Sequence, residues 1–125
     1  MNSQPTSKIE ITAIESPDGV KVGKKVTFHG HLDESNVDDL SRTIYALIEE
    51  FPEKLHLLFD FENLTYMNSK SIGYLTDWYT IINEKEGKIV IAKAATNILD
   101  TLKAVGITKY VTCYDSMAEA KTNLF

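Results

Sequence analysis

The chain has 125 residues, 43% of them apolar and 25% charged, the make-up of one ordinary globular domain with a core large enough to need no staples. A net charge of −5 argues against nonspecific attraction to nucleic acid or anionic lipid, and Cys113, the lone cysteine, excludes an internal disulfide and suits a reducing compartment. The polar start Met1-Asn2-Ser3-Gln4-Pro5-Thr6-Ser7 has no apolar signal core, and no apolar run approaches the length of a membrane span; a cytoplasmic address is expected, with a flexible segment over 1–7 and one domain over 8–125.

Residues 8 to 15 alternate weakly, with Ile9, Ile11 and Ala13 on one side and Lys8, Glu10 and Thr12 on the other, which predicts a half-exposed strand. Ser16-Pro17-Asp18-Gly19 is a turn. A second strand near Lys21 to Leu32 would pair with the first as a hairpin at the sheet edge. Asp33-Glu34-Ser35-Asn36 then offers capping side chains and negative charge for a helix start. Val37, Leu40, Ile44, Leu47, Ile48 and Phe51 follow at helical spacing, and Pro52 stops the helix. Leu55-His56-Leu57-Leu58-Phe59-Asp60-Phe61 is an apolar run that predicts a strand buried on both faces.

After that strand comes a polar corner. Asn68 is a good N-cap, which makes Ser69 the first helical residue, where backbone N–H groups lack partners and the helix dipole is positive. In the helix that follows, Ile72, Leu75, Tyr79 and Ile82 form one apolar stripe, and Tyr74, Trp78 and Ile81 form a second beside it. At roughly 100° per residue the two span about half the circumference, more than docking on a sheet requires. Either neighbouring helices cover the second stripe, or Tyr74 and Trp78 stand out as aromatic anchors for a partner.

Gly87 is expected to end this helix, and Ile89-Val90-Ile91-Ala92 is a short strand. Thr96 or Asn97 can cap a third helix with Ile98, Leu99, Leu102 and Val105 inward, stopped by a left-handed Gly106. Tyr110-Val111-Thr112-Cys113-Tyr114 predicts a last strand, and Ser116-Met117-Ala118-Glu119 has capping-box spacing for a terminal helix with Met117, Ala120 and Leu124 inward. The pattern is α/β: a mixed, mostly parallel sheet with an N-terminal antiparallel hairpin and about four helices.

Little of this sequence points to catalysis. Neither common glycine-rich phosphate loop is present, and Cys113 falls in a strand where a small buried thiol is the simplest role. His29, His31 and Asp33 could share a strand face and hold zinc or iron, but a strand face beside solvent explains them equally well, so no metal is assigned. His56 suits a neutral, hydrogen-bonded place in a buried strand. Asp60 and Glu62 lie where α/β folds place sites, yet have no histidine, lysine or metal nearby in sequence, and are taken as sheet-edge charges. An enzyme is not expected, and no cofactor.

The corner carries a resemblance. Met67-Asn68-Ser69-Lys70-Ser71-Ile72-Gly73, after Phe59-Asp60-Phe61-Glu62-Asn63-Leu64-Thr65, resembles the signature of STAS domains, the anti-sigma factor antagonists of bacteria, in which Met-Asp-Ser-Ser-Gly-Leu-Gly opens a helix. Upstream, Val26-Thr27-Phe28-His29-Gly30-His31-Leu32-Asp33 resembles the family's strand ending in Gly-x-Leu-Asp. The family's first serine, its phosphate acceptor, corresponds to Ser69 and the aspartate before it to Asn68. Lys70 stands for the second serine, Ser71 for the first glycine, Ile72 for leucine and Gly73 for the last glycine.

The resemblance implies a STAS-like domain that switches partners. Its expected partners are an anti-sigma factor acting as serine kinase and a PP2C-like phosphatase, with a homodimer as one further assembly to test. Asp33 and Asn36 would border the corner, and with Asn68, Lys70, Ser71, Tyr74 and Trp78 they make up the expected contact surface. Asn68 keeps a capping side chain without the family's charge, Lys70 adds a cation and Ser71 a second hydroxyl. Two other roles stay open: an unphosphorylated scaffold assembled through Tyr74 and Trp78, and a small-ligand module, for nucleotides for example, at the Asp33/Ser69 edge.

Overall fold

The computed structural model describes residues 7–125. Two strands open the chain, β1 (Lys8–Ile14) and β2 (Val22–Leu32), followed by helix α1 (Val37–Glu50), strand β3 (Leu55–Met67) and helix α2 (Ser69–Glu84). Strand β4 (Lys88–Ala92), helix α3 (Thr96–Ala104), a single 3-10 turn (Ile107–Lys109), strand β5 (Thr112–Tyr114) and helix α4 (Met117–Thr122) complete it. The five strands lie in the order β1-β2-β3-β4-β5. β1 runs antiparallel to β2, and every other pairing is parallel. This is the mixed sheet with an N-terminal hairpin and four helices that the residue pattern predicts. Of the predicted flexible segment 1–7, residues 1–6 lie outside the described residues; Ser7 is tied to β2 through His31.

β3 organises the packing because both its faces are covered. Leu57, Phe59 and Phe61 point into the main core with Val26 and Phe28 of β2 and Ile89 and Ile91 of β4, and α1, α2 and α3 close it with Ile44, Leu75, Trp78 and Leu102. Phe28 meets Phe59 and Phe61 edge-on at centroid distances of 5.1 and 5.3 Å, the offset that the ring quadrupole favours. On the opposite face Leu58, Val90 and Ala92 form a smaller core with Ala120 and Leu124 at the terminal helix. His56 is 5% exposed with Nδ1 2.8 Å from the Lys54 carbonyl, and burial lowers its pKa, so the ring is neutral as predicted. β3 also outruns its neighbours. It pairs with β4 only over His56–Asp60, but with β2 as far as Met67.

Several boundaries differ from expectation, each for a local reason. α2 ends at Glu84, and the left-handed turn falls on Glu86 (φ +64°) and not on Gly87. Gly87 is needed for close approach: a Cβ there would lie 2.2 Å from the Leu55 carbonyl oxygen and 2.7 Å from Ile82 Cγ2. Gly87→Ala is therefore expected to destabilise the domain by about 1–3 kcal/mol in urea titration, although alanine is the better helix former. α3 begins at Thr96 after Ala95, which offers no side-chain cap, in place of the predicted Thr96 or Asn97. Gly106 does take the left-handed conformation (φ +84°), but Val105, expected inward, is 57% exposed because the helix has ended. The 3-10 turn takes up residues before the last strand, which shortens β5 to three residues. Ser116 caps α4 as predicted, its Oγ accepting from the Glu119 amide at 3.1 Å.

Candidate functional site

Parallel strands β2 and β3 end side by side, with Leu32 paired to Met67, and the Asn68 amide donates to the Leu32 carbonyl at 3.1 Å. That register brings the Asp33–Asn36 loop against the start of α2. The predicted cap is in place: Asn68 Oδ1 accepts from the Ser71 amide at 2.9 Å, and the Asn68 carbonyl accepts from the Ser71 hydroxyl at 2.7 Å. Ser69 is consequently the first helical residue. It is exposed, and its hydroxyl makes no hydrogen bond among the described residues. Asn68→Ala removes the cap and is expected to cost about 1 kcal/mol in denaturant unfolding while leaving Ser69 exposed.

Ser71 does not join that surface. It is 0% exposed, so it shapes the corner from beneath and offers no second hydroxyl to a partner. Asn36 does not cap α1: its Oδ1 accepts from the Asp33 amide at 3.1 Å, and its Nδ2 donates to the His31 carbonyl and to Ser7 Oγ. The side chain predicted as a contact thus fastens the loop to β2. Asp33 is partly exposed, with Oδ1 accepting from the Ser35 hydroxyl (2.6 Å) and amide (2.9 Å). Those two bonds, aided by His31 at 3.1 Å, hold its carboxyl below the usual range.

Lys70 and Tyr74 converge on Asp38, an acidic residue in the first turn of α1. Lys70 Nζ lies 3.0 and 3.1 Å from the two Asp38 oxygens, and the Tyr74 hydroxyl donates to Oδ1 at 2.6 Å. The Tyr74 bond first and the Lys70 bond second lower the Asp38 pKa, while Asp38 raises that of Lys70. An acid in the first turn of α1 was visible in the sequence; nothing local said which residues it would meet.

Trp78 corrects the expected surface. It is 2% exposed, stacked on Tyr74 with centroids 6.1 Å apart and flanked by Tyr45 of α1 and Phe59. Trp78 cannot be a contact residue, and the covering of the second stripe by a neighbouring helix is what the structure shows. Tyr45 also bonds Asp77, and burial with that carboxylate pushes its hydroxyl up to about 12. Tyr45, Lys70, Gly73, Tyr74 and Asp77 line an open groove of about 450 Å³ between α1 and α2, beginning one residue from Ser69.

The other candidates do not assemble. Each histidine is taken by a different carboxylate: His29 pairs with Glu10 at 2.6 Å and His31 with Asp33 at 3.1 Å. Among the described residues no three His, Cys, Asp or Glu side chains are grouped to hold a metal ion. Asp60 accepts from the Glu62 amide, and Glu62 pairs with Lys93 at 3.2 Å. Cys113 is half-buried, and burial pushes its thiol up, away from the thiolate. No helix among the described residues is long and apolar enough to cross a membrane.

A family model described as the STAS domain matches residues 12–120. The anti-sigma F factor antagonist of Paenibacillus polymyxa is 28% identical over 69 residues, which cover 55% of this chain and 59% of that protein's length. The fold is similar to that of a putative anti-sigma factor antagonist from Thermotoga maritima, with a TM-score of 0.73 at 14% identity over 91% of this chain and 93% of that one. It is also similar to the Bacillus cell fate determinant SpoIIAA in its phosphorylated form, with a TM-score of 0.68 at 13% identity over 94% of this chain and 100% of that one.

Proposed function

Because this chain belongs to the STAS domain family, we propose that it is an anti-sigma factor antagonist-like interaction switch, whose partner is an anti-sigma factor that also acts as a serine kinase. Ser69 is the hydroxyl that the kinase phosphorylates, and a PP2C-like phosphatase restores it. Both reactions use catalytic groups of the partners, so this chain acts in the cytoplasm as substrate and ligand and not as an enzyme. The observation that carries the proposal is the exposed hydroxyl of Ser69, without a hydrogen bond among the described residues, on the first residue of a capped helix. Phosphate brings about −1.5 to −2 charges and three acceptor oxygens, which the free amides and positive end of α2 can accommodate without refolding. The same charge carried into an interface is desolvated, and binding weakens.

Two similar proteins support this reading, one an anti-sigma F factor antagonist and the other solved in a phosphorylated form. The contact surface is Ser69 with Asp33, Lys70 and Tyr74, while Asn36, Asn68 and Ser71 hold that surface in shape. Incubation with ATP and each candidate kinase, followed by phosphopeptide mapping, tests the assignment. One phosphate on Ser69 and none on Ser69→Ala is the expected result. A kinase that binds the protein yet modifies another residue, or none, overturns it.

A further inference from the structure

We propose that Lys70 changes partners when Ser69 is phosphorylated, leaving Asp38 for the phosphate and so loosening the tie between the start of α1 and α2, which Tyr74 alone then keeps. The inference rests on the phosphorylation of Ser69 proposed above and concerns how that event is read by the rest of the domain. In the unmodified protein Asp38 collects Lys70 on both oxygens and Tyr74 on one, and these bonds tie the first turn of α1 to the first two turns of α2. Neither end of the ion pair is sealed: the side chains of Lys70 and Asp38 are 42% and 49% exposed, so the ammonium can swing on its four-carbon stem without crossing the core.

Ser69 immediately precedes Lys70, and helical Cα–Cβ bonds lean toward the N-terminus, so both side chains project toward the same end of α2. A phosphate with up to about two charges attracts an ammonium about twice as strongly as one carboxylate at the same distance, and it adds acceptor oxygens. The corner is otherwise acidic. Glu34 reaches Asn68 at 3.5 Å, Asp33 and Asp38 stand beside it, and Arg42, the next cation along α1, is held by Asp39. Lys70 is the cation of the first turn of α2, so a new anion beside these carboxylates takes the cation that is nearest and most mobile.

Phosphoserine installed at position 69 during translation, with no kinase involved, tests the exchange. The crystal structure of that protein is expected to show Lys70 Nζ within hydrogen-bond reach of a phosphate oxygen, with Asp38 keeping Tyr74 alone. Backbone amides in the first two turns of α1 are expected to exchange about threefold faster than in the unmodified protein, the scale of one exposed pair. Lys70→Met should exchange fast in both states, whereas Lys70→Arg should respond as wild type. Lys70 remaining on Asp38 in the phosphoserine structure, or an undiminished rise in exchange in Lys70→Met, overturns the proposal. A kinase that fails to modify Ser69 bears on the switch alone, because the installed phosphoserine still reports whether Lys70 moves.

Discussion

Ser69→Asp is expected to weaken binding to the anti-sigma factor by at least about tenfold, while Ser69→Ala binds as tightly as wild type. The two substitutions differ little in their effect on the fold. Position 69 is exposed at the first helical residue, where alanine is neutral and aspartate meets the positive end of the dipole, so both should unfold within about 0.5 kcal/mol of wild type. The difference therefore arises at the interface. A carboxylate buried there without a partner costs several kcal/mol, and about 1.4 kcal/mol is already tenfold. Phosphate, with more charge than aspartate, should act more strongly still. Calorimetry with the purified anti-sigma factor is the measurement. Equal affinities for the two variants would show that charge at this position does not govern the complex.

Trp78→Ala is expected to lower the unfolding free energy by about 3–5 kcal/mol, a large share of what a domain of this size has to lose. Trp78 fills the seam between α1 and α2, and its ring lies edge-on to Phe59 with centroids 5.8 Å apart. Truncation leaves a cavity that Tyr45 and Tyr74 cannot close while their hydroxyls stay bonded to Asp77 and Asp38. Trp78→Phe is a useful companion. The indole N–H has no hydrogen-bond partner among the described residues, so its removal relieves a desolvation penalty that offsets part of the lost packing. A loss below about 1.5 kcal/mol is expected for it. Urea unfolding of both variants decides the matter. A Trp78→Ala protein of normal stability that has lost an assembly would return Trp78 to the surface.

What could be foreseen from the residues was whatever depends on near neighbours. Asn68 capping α2 is settled within four residues, as is Ser116 capping α4, and both came out as the side-chain chemistry predicts. The double-sided burial of β3 is written in its apolar run, interrupted only at His56 and Asp60 between Leu55 and Phe61. Foresight ended where two distant segments decide together. Trp78 is covered by Tyr45, thirty-odd residues upstream, and no periodicity in α2 can say which neighbour will lie along its second stripe. Asp38 looked like an ordinary charge in a first turn because its ties come from Lys70 and Tyr74 on another helix. Gly87 follows the end of α2 as expected, but the demand on it comes from far off in sequence, because the space it leaves is taken by the Leu55 carbonyl of β3. His29 and His31 looked like a shared pair of ligands, but Glu10 from β1 takes one and Asp33 from the following loop takes the other.

β4 stops at Ala92 while β3 runs on to Met67, so the last stretch of β3 is an overhang with β2 as its one strand partner, touched on the other edge by the Lys93 and Asn97 side chains. Ser69 sits at the tip of that cantilever. Lengthening or shortening the connection after β4 should cost those side-chain contacts yet leave the backbone ladder under the tip intact, whereas a single residue inserted into β2 beyond Gly30 would displace the tip along with everything that reads it. The tip thus has one tolerant flank and one intolerant flank, on opposite sides of the same strand.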